Sequence, residues 1–346
     1  HKGKIREGAI AIEDNKIIDI GKKRELKHKY RGYEKIKAEG KVIIPGLINT
    51  HQHAAMSLLR GYADDLPLKE WLENWIWPLE KHMTGRDIYI GALLTAIESI
   101  MGGVTTVNTM YHYTTEGNEA KAFVEVGLRG VIGHVCFSWR REEDIKTLWN
   151  LAKEWHNKAN GLIRISVDPH SPYTVSPEYL KELREITKEL NDKYGSFDSP
   201  IIWHIHVAET EDEPEKISKA FNVQLKGGVV EYLDSLDVLG SDVLAAHCVF
   251  LSSKDIKILK EREVKVAHNP VSNLKLASGI SPVPDLIKAG VTVALGTDSS
   301  SSNNSSDMFE TMKITALLHK GVTRNPTIMP AELVLKMGTI NGAKAL

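Results

Sequence analysis

Eight short runs of apolar and β-branched residues recur along this chain, and their alternation with helical patterns constrains its fold more than any other feature. They are Val42–Asn49, Thr105–Met110, Gly130–Cys136, Ile163–Val167, Ile201–Val207, Val243–Cys248, Val264–His268 and Val291–Gly296. Helix-patterned segments lie between them, among them Met83–Met101, Glu142–Asn157, Pro177–Asn191 and Ser253–Glu261, several opened by Ser or Pro at the first turn. Eight strands alternating with helices predict an α/β fold, a closed parallel (β/α)8 TIM-like barrel. An open doubly wound sheet is the runner-up, but no Gly-rich phosphate fingerprint follows any of the strands.

Ahead of the barrel, residues 8–20 read as a β-hairpin turning at Asp14-Asn15-Lys16, with a third strand near Lys35–Ala38. At roughly 40 residues this layer is too small for a core of its own. The expected division is therefore 1–41 and 42–346. A net charge of −1 gives no footprint for nucleic acid or an anionic membrane surface. Two cysteines build no disulfide framework, and no apolar run approaches the roughly 18 residues of a membrane span. A cytoplasmic location is expected. Both ends, His1 and a helix-patterned Leu346, read as cut, so a piece of a longer polypeptide is expected.

A parallel barrel gathers its active site at the carboxyl ends of the strands. The first ends in PGLINTHQH, placing His51 and His53 on one face at spacing two. The fourth runs into Asp168-Pro169-His170, and the fifth carries His204 and His206, with Glu209 just beyond. The sixth ends at His247, the seventh at His268 and the eighth at Asp298. His51, His53, one histidine of the fifth strand and Asp298 make a four-donor set suited to Zn2+ or Fe2+ rather than Mg2+ or Ca2+. Spacing does not choose between His204 and His206, which share a face, although His206 is nearer the mouth. A binuclear centre would want a lysine at the end of strand four; none is there, so one metal is expected. The long connection Ala54–Lys81, with Trp71, Trp75 and Trp77, reads as a lid.

The motifs PGLINTHQHAAMSLLRG, DPHSPYTVS, HIHVAET, AAHCVF, HNPVSNLKL and LGTDSSSSNNS occur in this order from about residue 42 onward. Together they resemble the amidohydrolase superfamily in its mononuclear aminohydrolase branch, and more narrowly the 5-methylthioadenosine/S-adenosylhomocysteine deaminases. The resemblance implies a metal-dependent hydrolase barrel with a small β-sandwich, incomplete here, at the N-terminus. It implies metal ligation by His51, His53, His206 and Asp298, and leaves His204 behind them. The reaction implied is hydrolytic deamination of the adenine ring of 5′-modified adenosines. By the same implication, hydroxide formed on the metal would attack C6, with Asp298 as base, His247 orienting the hydroxide and Glu209 as proton shuttle.

By the same resemblance Trp71, Glu80, Arg129, Arg140 and His170 would contact the nucleoside, with Glu80 on the ribose hydroxyls. The two arginines would face the 5′ substituent, where a guanidinium suits a carboxylate; around Arg140 the match is loose and Arg141 competes. A small-molecule nucleoside and a homo-oligomeric assembly are the expected partners, with no nucleic acid or membrane. The alternatives are a related aminohydrolase or chlorohydrolase acting on an s-triazine, guanine or cytosine, and a non-catalytic scaffold on the same barrel.

Overall fold

The computed structural model describes residues 3, 5–111 and 116–346. The chain divides into two compact units, His1–Ile44 and Pro45–Leu346. In the first, β1 (Gly8–Glu13) pairs antiparallel with β2 (Lys16–Lys22) across a tight turn, and a helix Lys23–Lys29 follows, burying Leu26. The expected strand at Lys35–Ala38 is absent: those residues carry no regular structure, and Ile36 is 90% exposed. Strand patterning without a neighbour to pair with leaves the backbone to water.

The second unit holds all eight barrel strands. These are β3 (Leu47–Gln52), β4 (Val104–Thr109), β5 (Arg129–Cys136), β6 (Ile163–Pro169), β7 (Ile202–Val207), β8 (Val243–His247), β9 (Lys265–His268) and β10 (Val293–Leu295). Each pairs in parallel with the next in sequence, giving one eight-stranded sheet. β3 starts five residues later than the apolar run suggested. Pro45 supplies no N–H to a ladder, and Val42 and Ile43 are exposed.

No strand ladder joins β10 to β3; side chains and loop backbone close the barrel instead. Thr50 Oγ1 donates to the Leu295 carbonyl, and Asn49 Oδ1 accepts from the Thr297 N–H at 3.0 Å. The Asp298 N–H donates to the His51 carbonyl at 2.9 Å. A Cβ on Gly296 would lie 2.4 Å from Asn269 Oδ1 and 2.7 Å from His51 Cβ, so only glycine allows this approach.

Alternation along the strands sorts the barrel's interior by height. On β7, Ile202, His204 and His206 share one face. Ile202 joins Val131, Leu244, Ala246, Ala267 and Ala294 in an apolar cluster with Ala345 of the last helix, Ile340–Ala345. The histidines lie further toward the carboxyl end, so one strand face runs from apolar plug to polar site. The opposite faces pack on the helices in a larger core built from residues such as Phe123, Leu151, Leu183 and Trp203. Helices that the patterning missed, Glu213–Phe221 and Pro270–Lys275, both open at the carboxyl ends of strands. Among the described residues no helix is long and apolar enough to cross a membrane.

Candidate active site

At the carboxyl ends of the strands four imidazoles face one another with their Nδ1 atoms turned outward. His53 Nδ1 donates to the Met110 carbonyl, and His206 Nδ1 donates to the His170 carbonyl at 2.7 Å. His247 Nδ1 donates to Asn273 Oδ1 at 2.8 Å, and His51 Nδ1 lies 2.9 Å from His204 Nε2. A carbonyl only accepts, so in His53 and His206 the proton sits on Nδ1 and the Nε2 lone pair is free. His51 Nε2 is buried and has no hydrogen-bond partner.

Asp298 completes the cluster, its Oδ1 lying 3.4 Å from His51 Nε2 and 3.2 Å from His53 Nε2. Ligand atoms of His51, His53 and Asp298, and likewise of His51, His206 and His247, lie within 4.8 Å of one another. An orphaned nitrogen aimed at a carboxylate, with each ring oriented from behind, is the arrangement a three-nitrogen, one-oxygen metal site requires. The residues present fit the group.

The electrostatics agree with that reading. Burial, aided by the neighbouring rings, drives His51 and His206 well below the usual imidazole value, so both rings are neutral. Ser272 Oγ donates to Asp298 Oδ2 at 2.6 Å, and the Ser299 N–H donates to Oδ1 at 2.7 Å.

His247 stands between two carboxylates, 3.9 Å from Glu209 Oε1 through Nδ1 and 3.9 Å from Asp298 Oδ2 through Nε2. Burial lowers its pKa, but Glu209 and Asp298 outweigh burial and raise it. Burial, with Asp298 adding to it, raises the Glu209 carboxyl. A glutamate that holds its proton more tightly than usual beside a cleft suits proton delivery. Ala208, His247, Cys248 and Asp298 all hold positive φ without being glycine. Such strain gathers where surrounding structure forces it.

The cleft above this cluster encloses about 410 Å3, counting its open mouth. Met56, Leu68, Trp71, Leu72 and Leu276 form an apolar wall, while Tyr111, Tyr173 and His170 line another part. Burial pushes His170 down to about 3, so its ring is neutral.

An amidohydrolase family model matches residues 42–346. The chain is 45% identical over 99% of its length to a 5′-deoxyadenosine deaminase of Methanosarcina mazei, covering 76% of that protein. It is 44% identical over 99% of its length to a 5-methylthioadenosine/S-adenosylhomocysteine deaminase of Syntrophomonas wolfei, again covering 76%. This chain belongs to the amidohydrolase family. Among solved structures, this amidohydrolase resembles an adenosine deaminase of Xanthomonas campestris with bound zinc. The TM-score is 0.86 at 30% identity, covering 99% of this chain and 76% of that one.

The barrel brings together His51, His53, His206, Glu209, His247 and Asp298, with Trp71 and His170 beside them in the cleft wall. His204 lies behind His51, and Asp168 beneath it, 3.7 Å from His204 Nδ1. Other expected contacts fall elsewhere. Arg129 opens β5, so it sits exposed at the amino end of the barrel, a strand's length from the cleft. The motif match around VGLRG carried no information about which strand end it occupied.

Arg140 donates to the Val135 carbonyl, lies over the Phe137 ring and does not line the cleft. Arg141 pairs with Glu182 on the surface. Glu80 is half-buried at the end of the helix Trp77–Glu80 and does not line the cleft. After burial, its charge is the largest cause raising the Tyr111 phenol, which accepts from Trp77 Nε1 at 2.6 Å.

Asn273, Ser272, Tyr111, Tyr173 and Glu213 are site residues that sequence reasoning passed over. The first two lie inside the quoted HNPVSNLKL, where the spacing from His268 held the available signal.

Proposed function

We propose that this amidohydrolase hydrolytically removes the amino group from the adenine ring of a 5′-modified adenosine, releasing ammonia. The carrying observation is the placement of Glu209, raised by burial, across His247 from Asp298 at the rim of the four-donor cluster. The deaminase names of the relatives at 44% and 45% identity support the choice of ring.

His51, His53, His206 and Asp298 would hold one divalent ion, with zinc favoured by the nitrogen-rich donor set. When bound, such an ion acidifies water toward neutral pH and polarises the reacting centre. Asp298 takes the proton of the attacking water on Oδ2, which Ser272 holds in place. His247, its Nδ1 committed to Asn273, turns Nε2 toward that water and orients it. Glu209 delivers a proton to the ring nitrogen next to the attacked carbon, neutralising charge as the tetrahedral centre forms. Trp71, Met56, Leu72 and Leu276 exclude bulk water from the cleft.

The test is a substrate panel of 5′-deoxyadenosine, methylthioadenosine, S-adenosylhomocysteine, adenosine, guanine, cytosine and an s-triazine. Turnover is followed by ammonia release and loss of adenine absorbance. Turnover of the 5′-modified adenosines is expected. Turnover confined to the non-nucleoside rings would refute the proposal.

A further inference from the structure

Six residues after the HIHV strand end at Val207, the chain buries a second glutamate that the proposed chemistry does not use. Glu213 is 1% exposed and opens the helix Glu213–Phe221. Its carboxylate forks across two consecutive amides: Oε1 accepts from the Ala208 N–H at 3.1 Å and Oε2 from the Glu209 N–H at 2.9 Å. Ala208 holds φ +52°, a conformation that a residue with a Cβ adopts only under constraint. Its carbonyl is held from the other side, accepting from the Val249 N–H at 2.9 Å and the Phe250 N–H at 3.0 Å. The peptide preceding Glu209 is therefore gripped at both ends by groups from outside β7.

We infer that Glu213 is a positioning residue for Glu209, its forked carboxylate holding the Ala208–Glu209 backbone in the left-handed turn that aims the Glu209 side chain at the cleft. The inference rests on the role proposed above for Glu209. Two acceptor oxygens are required, because two buried N–H groups point at the same side chain. A glutamine offers one oxygen and turns its amide N–H groups toward the other donor. An alanine leaves both donors unsatisfied, and the turn then relaxes away from positive φ. Burial raises the Glu213 carboxyl to about 7 against the pull of these two N–H bonds, so above that pH the fork is charge-assisted and stronger than neutral bonds, and it offsets the strain at Ala208.

The experiment compares E213Q, E213A, E209Q and E209Q/E213A, each checked for metal content and melting temperature. Amide exchange read by mass spectrometry over residues 207–213 is independent of activity. Faster exchange in E213A and E213Q is expected, and exchange like that of the wild type would overturn the inference. In turnover, E213A should lose about 10- to 100-fold in kcat, with metal content unchanged and KM within about 3-fold. E213Q should lie between E213A and the wild type.

If Glu213 acts through Glu209, E209Q/E213A turns over within about 3-fold of E209Q; multiplied losses would show an independent role and refute the inference. E213Q keeps the buried volume, so it carries the test if E213A does not fold. A wild-type protein inactive on every nucleoside would refute the proposed function alone, while the exchange measurement still decides the Glu213 clamp.

Discussion

His51 Nδ1 lies 2.9 Å from His204 Nε2, so one cluster imidazole leans on another titratable ring where His53, His206 and His247 lean on carbonyl or amide oxygens. For His51 to present a free Nε2, its proton must sit on Nδ1 and His204 Nε2 must accept it. The His204 proton then belongs on Nδ1, facing the buried Asp168 carboxylate 3.7 Å away. The Asn108 amide, 3.1 Å from the same Nδ1, donates to it only in the other tautomer. Asp168, His204 and His51 thus form a chain of proton positions that sets which nitrogen His51 offers.

Replacing His204 by Ala removes that chain without touching any of the four donors. Metal affinity should fall by about 10- to 100-fold while the fold is retained. Competition with a chelator measures it. Unchanged affinity would mean that packing alone orients His51.

Glu209→Gln keeps the shape of the side chain and removes its transferable proton. The variant should retain its metal and lose about 100- to 10,000-fold in kcat. Metal analysis alongside steady-state kinetics separates the two, and a fully active variant would rule out the shuttle.

Gly296→Ala places a methyl group against His51 Cβ and Asn269 Oδ1. The β10–β3 seam must open, which should destabilise the protein by about 1–3 kcal/mol. Metal affinity should also fall, because the His51 backbone moves with the seam. Denaturant unfolding and chelator competition should change together; a loss of stability at constant affinity would uncouple the seam from the site.

His268 and His319 face each other at 3.3 Å on the outer side of the barrel. Burial lowers His319 to about 4 and holds His268 well below its ordinary value. As the pH falls, the unfolded chain takes up these protons first, so stability is lost between the usual imidazole value of about 6.5 and about 4. For His319 this difference corresponds to roughly 3 kcal/mol. His319→Leu should lose less stability over that interval than the wild type in urea unfolding. Equal losses would show that the pair is not the acid-sensitive element.

The family resemblance and the eight-strand alternation were legible because each strand of a parallel barrel is buried on both faces and reads as a continuous apolar run. The metal-type donors were legible for a related reason. Histidine and aspartate are costly at buried strand ends unless something uses them, so His51, His53, His206 and Asp298 stood out against Val, Ile and Ala. Arg129 shows where motif reading stops: a cationic side chain beside a strand carries no mark of which end of the barrel it occupies. Lys35–Ala38 shows the same at the level of the backbone, since alternation does not create a pairing partner.

By itself, then, the sequence determined the barrel, the order of its strands and the residues that cluster at their carboxyl ends, because those properties follow from periodicity and local burial. Only the tertiary structure decided which nitrogen each imidazole turns inward and that Asn273 and Ser272 hold His247 and Asp298. It also placed Glu213 beneath Glu209, and His204 and Asp168 behind His51. Apart from the local Glu213 fork, these relations join residues far apart in the chain through single hydrogen bonds or close polar contacts. Such bonds depend on where strand ends and loops meet in space, and no pattern along the sequence encodes that meeting.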